Sequence, residues 1–281
     1  MRRRPTTRVG LVGCGAIGTA IAQALERDYP KVARIVALVD QSRAHARILQ
    51  RQLARRPPLV SLPELIRRSD LVIEAASLSV APHVVRLALA SHRDVLVMST
   101  GGLLAQASAV ARWARRSRGH VHVPSGGLCG LDGLKAMAVG KLHRIELTTR
   151  KPPAALVTSP FVTSRRLSLN HLTRPRVLFE GSPAQAVNAF PQNVNVAATM
   201  TLACLLGGRT RRASTKMVVR VVADPTIRRN IHELSVEGDS GRLHCRIESR
   251  PSHSNPKTSE MAIQSAIATL RQLFDPVSIG T

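Results

Sequence analysis

Aromatic residues are scarce in this chain: one Trp, one Tyr and four Phe make up 2% of 281 residues. So few rings leave almost no stacking platform for single-stranded nucleic acid. Cysteine is equally sparse. Cys14, Cys129, Cys204 and Cys245 stand far apart with no CxxC pair, which excludes a zinc-finger spacing and a dense disulfide framework. The four read as small buried hydrophobes in a reducing compartment. No grouping of His, Cys or carboxylates has usable ligand spacing, so no metal is expected. Long apolar runs are missing too: NVNVAATMTLACLL, Asn193 to Leu206, is too short and too polar at its start to span a bilayer. The basic start, MRRRPTTR, runs straight into a strand pattern without an apolar signal segment. The expectation is a cytoplasmic, soluble protein with no membrane partner.

Acidic residues are few as well. Against 17 Asp+Glu stand 41 Lys+Arg, a formal net charge of +24, and with 6 Lys this leaves 41 − 6 = 35 Arg. Such an excess first suggests a nucleic-acid binder. The basic residues are spread along the chain, however, instead of forming one tail. They predict salt-sensitive, non-specific attraction to polyanions and no specific nucleic-acid partner. The charge motivates a less favoured alternative, a nucleotide-sensing or nucleic-acid-binding protein built on the α/β fold that the rest of the sequence predicts. The hydrophobic fraction of 44% is ample for a sizeable core in one large domain or two ordinary ones.

Along the first 125 residues, short apolar runs alternate with stretches of helical spacing. RVGLVG (Arg8 to Gly13), RIVALVD (Arg34 to Asp40), LVIEAAS (Leu71 to Ser77), DVLVMST (Asp94 to Thr100) and HVHVPSG (His120 to Gly126) read as strands. Ile17, Ile21, Ala24 and Leu25 recur on one helical face, and a second helix runs to about Arg56 before Pro57-Pro58. Strands apolar on both faces and separated by helices predict a parallel sheet covered on two sides. After Gly126 the pattern alternates more: HRIELTTRKP, KMVVRVVAD, HELSVEG and RLHCRIES predict a mixed or antiparallel sheet. A last helix, Thr258 to Phe274, presents Met261, Ile263, Ala266, Ile267 and Leu270. The expected architecture is α/β: a Rossmann-type parallel sheet over 1–125, completed by 255–281, with a second α+β domain over 126–254. The C-terminal helix returns to the first domain.

Gly13-Cys14-Gly15-Ala16-Ile17-Gly18 is a GxGxxG that follows a strand and opens a helix. Gly13 permits the tight turn, Gly15 admits a pyrophosphate to the backbone, and Gly18 lets the helix approach the sheet. The N–H groups of Ala16 and Ile17 stand at the positive end of that helix. Asp40, 22 residues after Gly18, suits ribose hydroxyls and favours NAD. Arg43, with Arg47 one turn on, could reach a 2′-phosphate and leaves NADP open. Ser77, Thr100, Gly101 and Gly102 fall on the carboxyl edge of the sheet, where ligands of such folds bind.

Three polar clusters occupy the second half: PSGGLCGLDG (Pro124 to Gly133), FPQNVNVA (Phe190 to Ala197), and NIHE (Asn230 to Glu233) with the later NPKTS (Asn255 to Ser259). Together with GLVGCGAIG, and in this order, they resemble the L-aspartate dehydrogenase family from about Arg8 to Leu273. The resemblance implies an NAD(P)-dependent oxidoreductase that interconverts L-aspartate and iminoaspartate, linked to early steps of NAD biosynthesis and typically dimeric. It places the active-site histidine on His232 and a nucleotide-contacting small residue, usually Ala, on Gly127. A nucleotide-contacting asparagine falls on Asn193 or Asn195. Cys129 stands where the family usually has glycine. The alternative is a related Rossmann oxidoreductase acting on another amino or keto dicarboxylate.

Oxidation of an amino acid needs a group that titrates near neutrality and partners for two carboxylates. Histidine suits the first task. Of ten histidines, His232 is favoured by the resemblance and His171 follows. Lys257 and Thr258, near the start of the last helix, are candidates for holding a carboxylate, as are Arg165 and Arg166.

Overall fold

The computed structural model describes residues 6–191, 195–207, 215–252, 259–277 and 279–280. The chain divides into two compact units, Met1–Pro124 with Ala266–Ser278, and Ser125–Ser265 with Ile279–Thr281.

In the first unit the apolar runs become strands β1 (Thr7–Val12), β2 (Ala33–Val39), β3 (Leu71–Glu74), β4 (Asp94–Val97) and β5 (Val121–His122). They lie parallel in the order β2-β1-β3-β4-β5. The order reverses at β1, between β2 and β3, the kind of switch point at which open α/β sheets bind ligands. Val9, Leu11, Leu38, Ile73 and Leu96 are buried in one cluster with Ile21 and Leu25 of the helix Ala16–Asp28. Ala266 and Leu270 join the same cluster from the helix Glu260–Phe274, and the Phe274 ring lies 5.3 Å from that of Tyr29. Each fully buried Leu or Ile contributes about 1.5–3 kcal/mol here. The last helix buries a narrower face than its pattern suggests, since Met261 is exposed while Ile263, Ala266 and Leu270 are buried.

β3 and β4 end at Glu74 and Val97, each three residues short of the predicted run, and two other boundaries also differ from expectation. The second helix, Arg43–Gln52, ends before Arg56 because Leu53 is extended and Arg56 has φ 44°. The β5 ladder covers only two residues, because Pro124 offers no N–H and Gly126 turns away at φ 65°. The cysteines also divide: Cys14 and Cys204 are buried, but Cys129 and Cys245 are only partly so.

The second unit holds β6 (Leu142–Lys151), β7 (Arg176–Gly181), β8 (Lys216–Ala223), β9 (Asn230–Gly238) and β10 (Gly241–Ser249) in the order β10-β9-β6-β8-β7. The β6–β8 pair is parallel and the others are antiparallel. Along β6 the alternation is regular: Ile145, Leu147, Thr149 and Lys151 are buried, and Arg144, Glu146 and Arg150 face the more open side. Ion pairs cross that open side, Arg220 to Glu180 at 2.6 Å and Arg150 to Glu233 at 3.1 Å. The partly exposed edge strand β7 and the helix Pro183–Ala189 were not anticipated, although Ser182 and Gln185 close a capping box on that helix. Three of the four phenylalanines, Phe161, Phe179 and Phe190, gather here with ring centroids 5.2 to 6.0 Å apart. Among the described residues no helix is long and apolar enough to cross a membrane.

A Cβ on Gly18 would collide with the Gly13 carbonyl oxygen, whereas one on Gly15 would meet nothing within 4 Å. Gly18→Ala is therefore expected to cost about 1–3 kcal/mol and to lower the melting temperature by about 2–10 °C, with Gly15→Ala close to wild type. Calorimetric melting checks this, and equal midpoints for the two variants would contradict the tight helix–turn contact.

Candidate active site

The turn after β1 has a sharply defined geometry. Gly13 sits at φ 98°, and a Cβ there would run into the carbonyl group of Ala75, so only glycine makes the turn without strain. Gly15 precedes the helix Ala16–Asp28 and contributes no side-chain cap. The helix N-terminus, with Ala16 and Ile17 in its first turn, thus presents free N–H groups beside open space at Gly15. That cradle fits a pyrophosphate. Asp40 fixes it from the neighbouring strand: Oδ2 accepts the Cys14 N–H at 2.6 Å and Oδ1 accepts the Ser42 N–H at 2.7 Å. Each carboxylate oxygen keeps acceptor capacity for a ribose hydroxyl. Arg43 is exposed at the first position of the helix Arg43–Gln52, behind Ser42 as its cap, and Arg47 is exposed one turn later.

Glu74, not singled out from the sequence, organises the neighbouring loops. Its buried carboxylate accepts the Ala76 N–H at 2.8 Å, the Ser99 N–H at 3.1 Å and the Ser99 hydroxyl at 2.9 Å. Burial raises its pKa and these hydrogen bonds oppose that rise. The ends of β3 and β4 are thereby tied together. Ser77 lies exposed just beyond, with its Oγ 3.1 Å from Ser79 Oγ. Thr100 and Gly101 are buried where the short helix Gly101–Leu104 begins, followed by a half-buried Gly102.

In the second unit His232 lies on β9 and is 4% exposed. Its Nδ1 is 3.1 Å from Thr149 Oγ1 of β6, the residue directly opposite in the ladder. The other edge of the ring faces the glycine-rich loop: a Cβ on Gly127 would come 3.2 Å from Cδ2 and 3.3 Å from Nε2. Glycine instead of alanine at 127 thus gives the imidazole a few tenths of an ångström of room. Val196, in the first turn of the helix Asn195–Gly207, borders the same point. Lys151, two residues from Thr149 on the same face of β6, is also 4% exposed. Burial lowers the His232 pKa to about 3, with the Lys151 charge adding to the effect. Burial lowers Lys151 to about 8.

The sequence-predicted residues divide accordingly. His232, Gly127 and the start of the helix at Asn195 come together, and the turn Gly13–Gly18 meets Asp40. His171 is exposed in the loop before β7. The Arg165 guanidinium lies 3.9 Å from the Phe161 ring centroid, a cation–π contact, and Arg166 is an exposed turn residue at φ 50°. Asn193, Lys257 and Thr258 lie outside the described residues. Thr149 and Lys151 were missed. Their signal was the alternation of IELTTRK, which puts a threonine and a lysine in phase with Ile145 and Leu147. Among the described residues no cluster of three His, Cys, Asp or Glu could hold a metal ion.

Residues 132–273 match the family model described as aspartate dehydrogenase, C-terminal, and residues 13–124 match that of the homoserine dehydrogenase NAD binding domain. The L-aspartate dehydrogenase of Methanocella arvoryzae is 40% identical over 98% of this chain and 99% of its own length. The chain belongs to the L-aspartate dehydrogenase family. Within that family, L-aspartate dehydrogenase 3 of Bordetella bronchiseptica is 36% identical over the full length of both chains. The crystal structure of aspartate dehydrogenase from Thermotoga maritima shares the fold, with a TM-score of 0.70 at 23% identity over 98% of this chain and 99% of that one.

A depressed His232 pKa has a definite consequence for stability. The folded state holds the ring neutral down to about pH 3, whereas an unfolded histidine takes a proton near pH 6.5. Stability from this group is complete above pH 6.5 and is lost as pH falls from there toward 3. His232→Asn should flatten the denaturant midpoint across that window relative to wild type. An unchanged pH slope would show that the ring titrates normally.

Proposed function

We propose that the protein is an NAD-dependent L-aspartate dehydrogenase that converts L-aspartate to iminoaspartate, which water hydrolyses to oxaloacetate and ammonia. The observation that carries the proposal is the buried His232 between Thr149 and the glycine-rich loop, in the segment matched by the aspartate dehydrogenase model. The turn Gly13–Gly18 would hold the pyrophosphate of the cofactor, with Asp40 at the ribose and Ser77, Gly127, Asn193 and Asn195 as further contacts. Arg43 beside Asp40 keeps NADP as a second cofactor in the same reading. The second unit serves as substrate and dimerisation domain, and the protein acts as a cytoplasmic homodimer feeding NAD biosynthesis, without a specific nucleic-acid partner.

When bound, the nicotinamide accepts a hydride from the α-carbon of the substrate. The chain's own task is the proton. In solution the aspartate amine is an ammonium, and it must lose its proton before the C–N bond can become an imine. In the tautomer whose Nδ1–H donates to Thr149 Oγ1, Nε2 carries the lone pair and faces Gly127. Neutral His232 can accept the amine proton there. An anionic substrate beside Lys151 offsets one cause of the depressed pKa and so makes the ring a stronger base when substrate is present. In the reverse direction the same imidazolium returns the proton.

The test follows NADH and NADPH formation with L-aspartate, D-aspartate, glutamate and malate. Turnover selective for L-aspartate is expected. Absence of turnover with it in either direction would overturn the proposal, and preference for another dicarboxylate would move the chain to the related-oxidoreductase reading. His232→Ala should lower kcat by about 100-fold or more while leaving NADH affinity unchanged.

A further inference from the structure

The glycine-rich loop that faces His232 is held on both sides of Gly127. Before it, Ser265 Oγ accepts the Gly126 N–H at 3.0 Å. After it, the Cys245 thiol of β10 donates to the Cys129 carbonyl oxygen at 3.3 Å. Gly130 follows at φ 73°, and a Cβ there would come 2.5 Å from Cys245 Sγ. The Cys245 sulfur therefore sits over the Cys129–Gly130 peptide. Along β10, Cys245 is in phase with Leu243 and Ile247 and alternates with the exposed His244 and Arg246.

The second of these contacts brings two thiols together. Cys129 and Cys245 are free and only partly buried, whereas Cys14 and Cys204 are buried. A small solvent-borne reagent can reach the first pair and not the second. Burial pushes the Cys245 thiol up to about 12, and a hydrogen bond and the charge of the adjoining Cys129 side chain add to the rise. Cys245 thus stays protonated at neutral pH, which leaves Cys129 as the sulfur that meets an oxidant first. The strand that carries Cys245 lies at the edge of the sheet, paired only with β9.

We propose that Cys129 and Cys245 form a dithiol modification site, which hydrogen peroxide converts to a disulfide that draws the glycine-rich loop towards β10 and slows turnover. Cys129 Sγ attacks one peroxide oxygen, the O–O bond breaks, and water leaves with the thiol proton, giving a sulfenic acid. Cys245 Sγ then attacks that sulfur, the S–O bond breaks, and the hydroxyl leaves as a second water with the Cys245 proton. Two sulfurs are oxidised and the peroxide is reduced to two waters. The thiol–carbonyl hydrogen bond is lost and a covalent link with its own fixed geometry replaces it. Gly127, two residues from the link, moves against the His232 ring, and a misplacement of about 1 Å costs on the order of 100-fold in rate. The effect on turnover rests on the dehydrogenase reading; the disulfide does not.

The reduced full chain is treated with hydrogen peroxide, its thiols are mapped by mass spectrometry after denaturing alkylation, and kcat is followed with L-aspartate. Wild type should lose two hydrogens in a Cys129–Cys245 cross-link while Cys14 and Cys204 remain thiols. Its kcat should fall by about 10-fold or more and return with dithiothreitol. Cys245→Ser should match reduced wild type before treatment. Afterwards it should carry Cys129 as a sulfinic or sulfonic acid that dithiothreitol does not reverse. If that variant does not fold, Cys129→Ser serves in its place, with Cys245 expected to remain a thiol. Both thiols left free in treated wild type, either one joined to another cysteine, or a Cys129–Cys245 cross-link with kcat unchanged would overturn the proposal. Absence of aspartate turnover by reduced wild type would instead overturn the dehydrogenase reading, and the mapped thiols would then decide the dithiol site.

Discussion

An ammonium and an imidazole buried on one covered face of a sheet set the character of the second unit. Burial disfavours charge on both Lys151 and His232, and the lysine charge further disfavours protonation of the histidine. The free protein therefore holds a weak base, the neutral imidazole, beside a buried lysine. An anionic substrate bound beside the pair would oppose the lysine charge and so strengthen the histidine as a base. The Thr149 hydroxyl holds the ring by its Nδ1 edge while the other edge faces Gly127, so the base is oriented before any substrate is present.

Much of the frame was legible in the sequence because it depends on periodicity. Runs such as LVIE, buried at every residue, could only be strands covered on both faces. GxGxxG carried its own stereochemistry, with Gly13 at a positive φ and Gly18 against the turn. Other features depended on tertiary partners. Glu74 looked like the end of an apolar strand until Ser99 and Ala76 proved to be its donors. β7 was hidden because an edge strand packed on one side needs little apolar character. The family resemblance pointed to His232, but the resemblance did not extend to Lys151. The lysine was visible in principle, as a cation in the buried phase of β6, since such a break in a two-residue alternation has to be compensated by something.

The surplus of arginine has several separate origins. Many of the few acids are matched by arginine, as in Arg8 with Asp70 and Arg67 and Arg68 with Glu64. Other arginines sit in the last turns of helices, among them Arg51, Arg115 and Arg116, where a cation is favoured by the helix dipole. Each such placement contributes about 0.3–1 kcal/mol. None of them concerns the site. The charge that bears on the His232 ring is the buried one at Lys151.

Titration of the His232 ring by nitrogen-15 NMR, with and without succinate, tests this account most directly. The free protein should show one histidine that stays neutral well below pH 5, lost from the spectrum in His232→Asn, and succinate should move its titration upward. A His232 that titrates near pH 6.5 and ignores succinate would contradict the coupling between the buried lysine, the anion and the base.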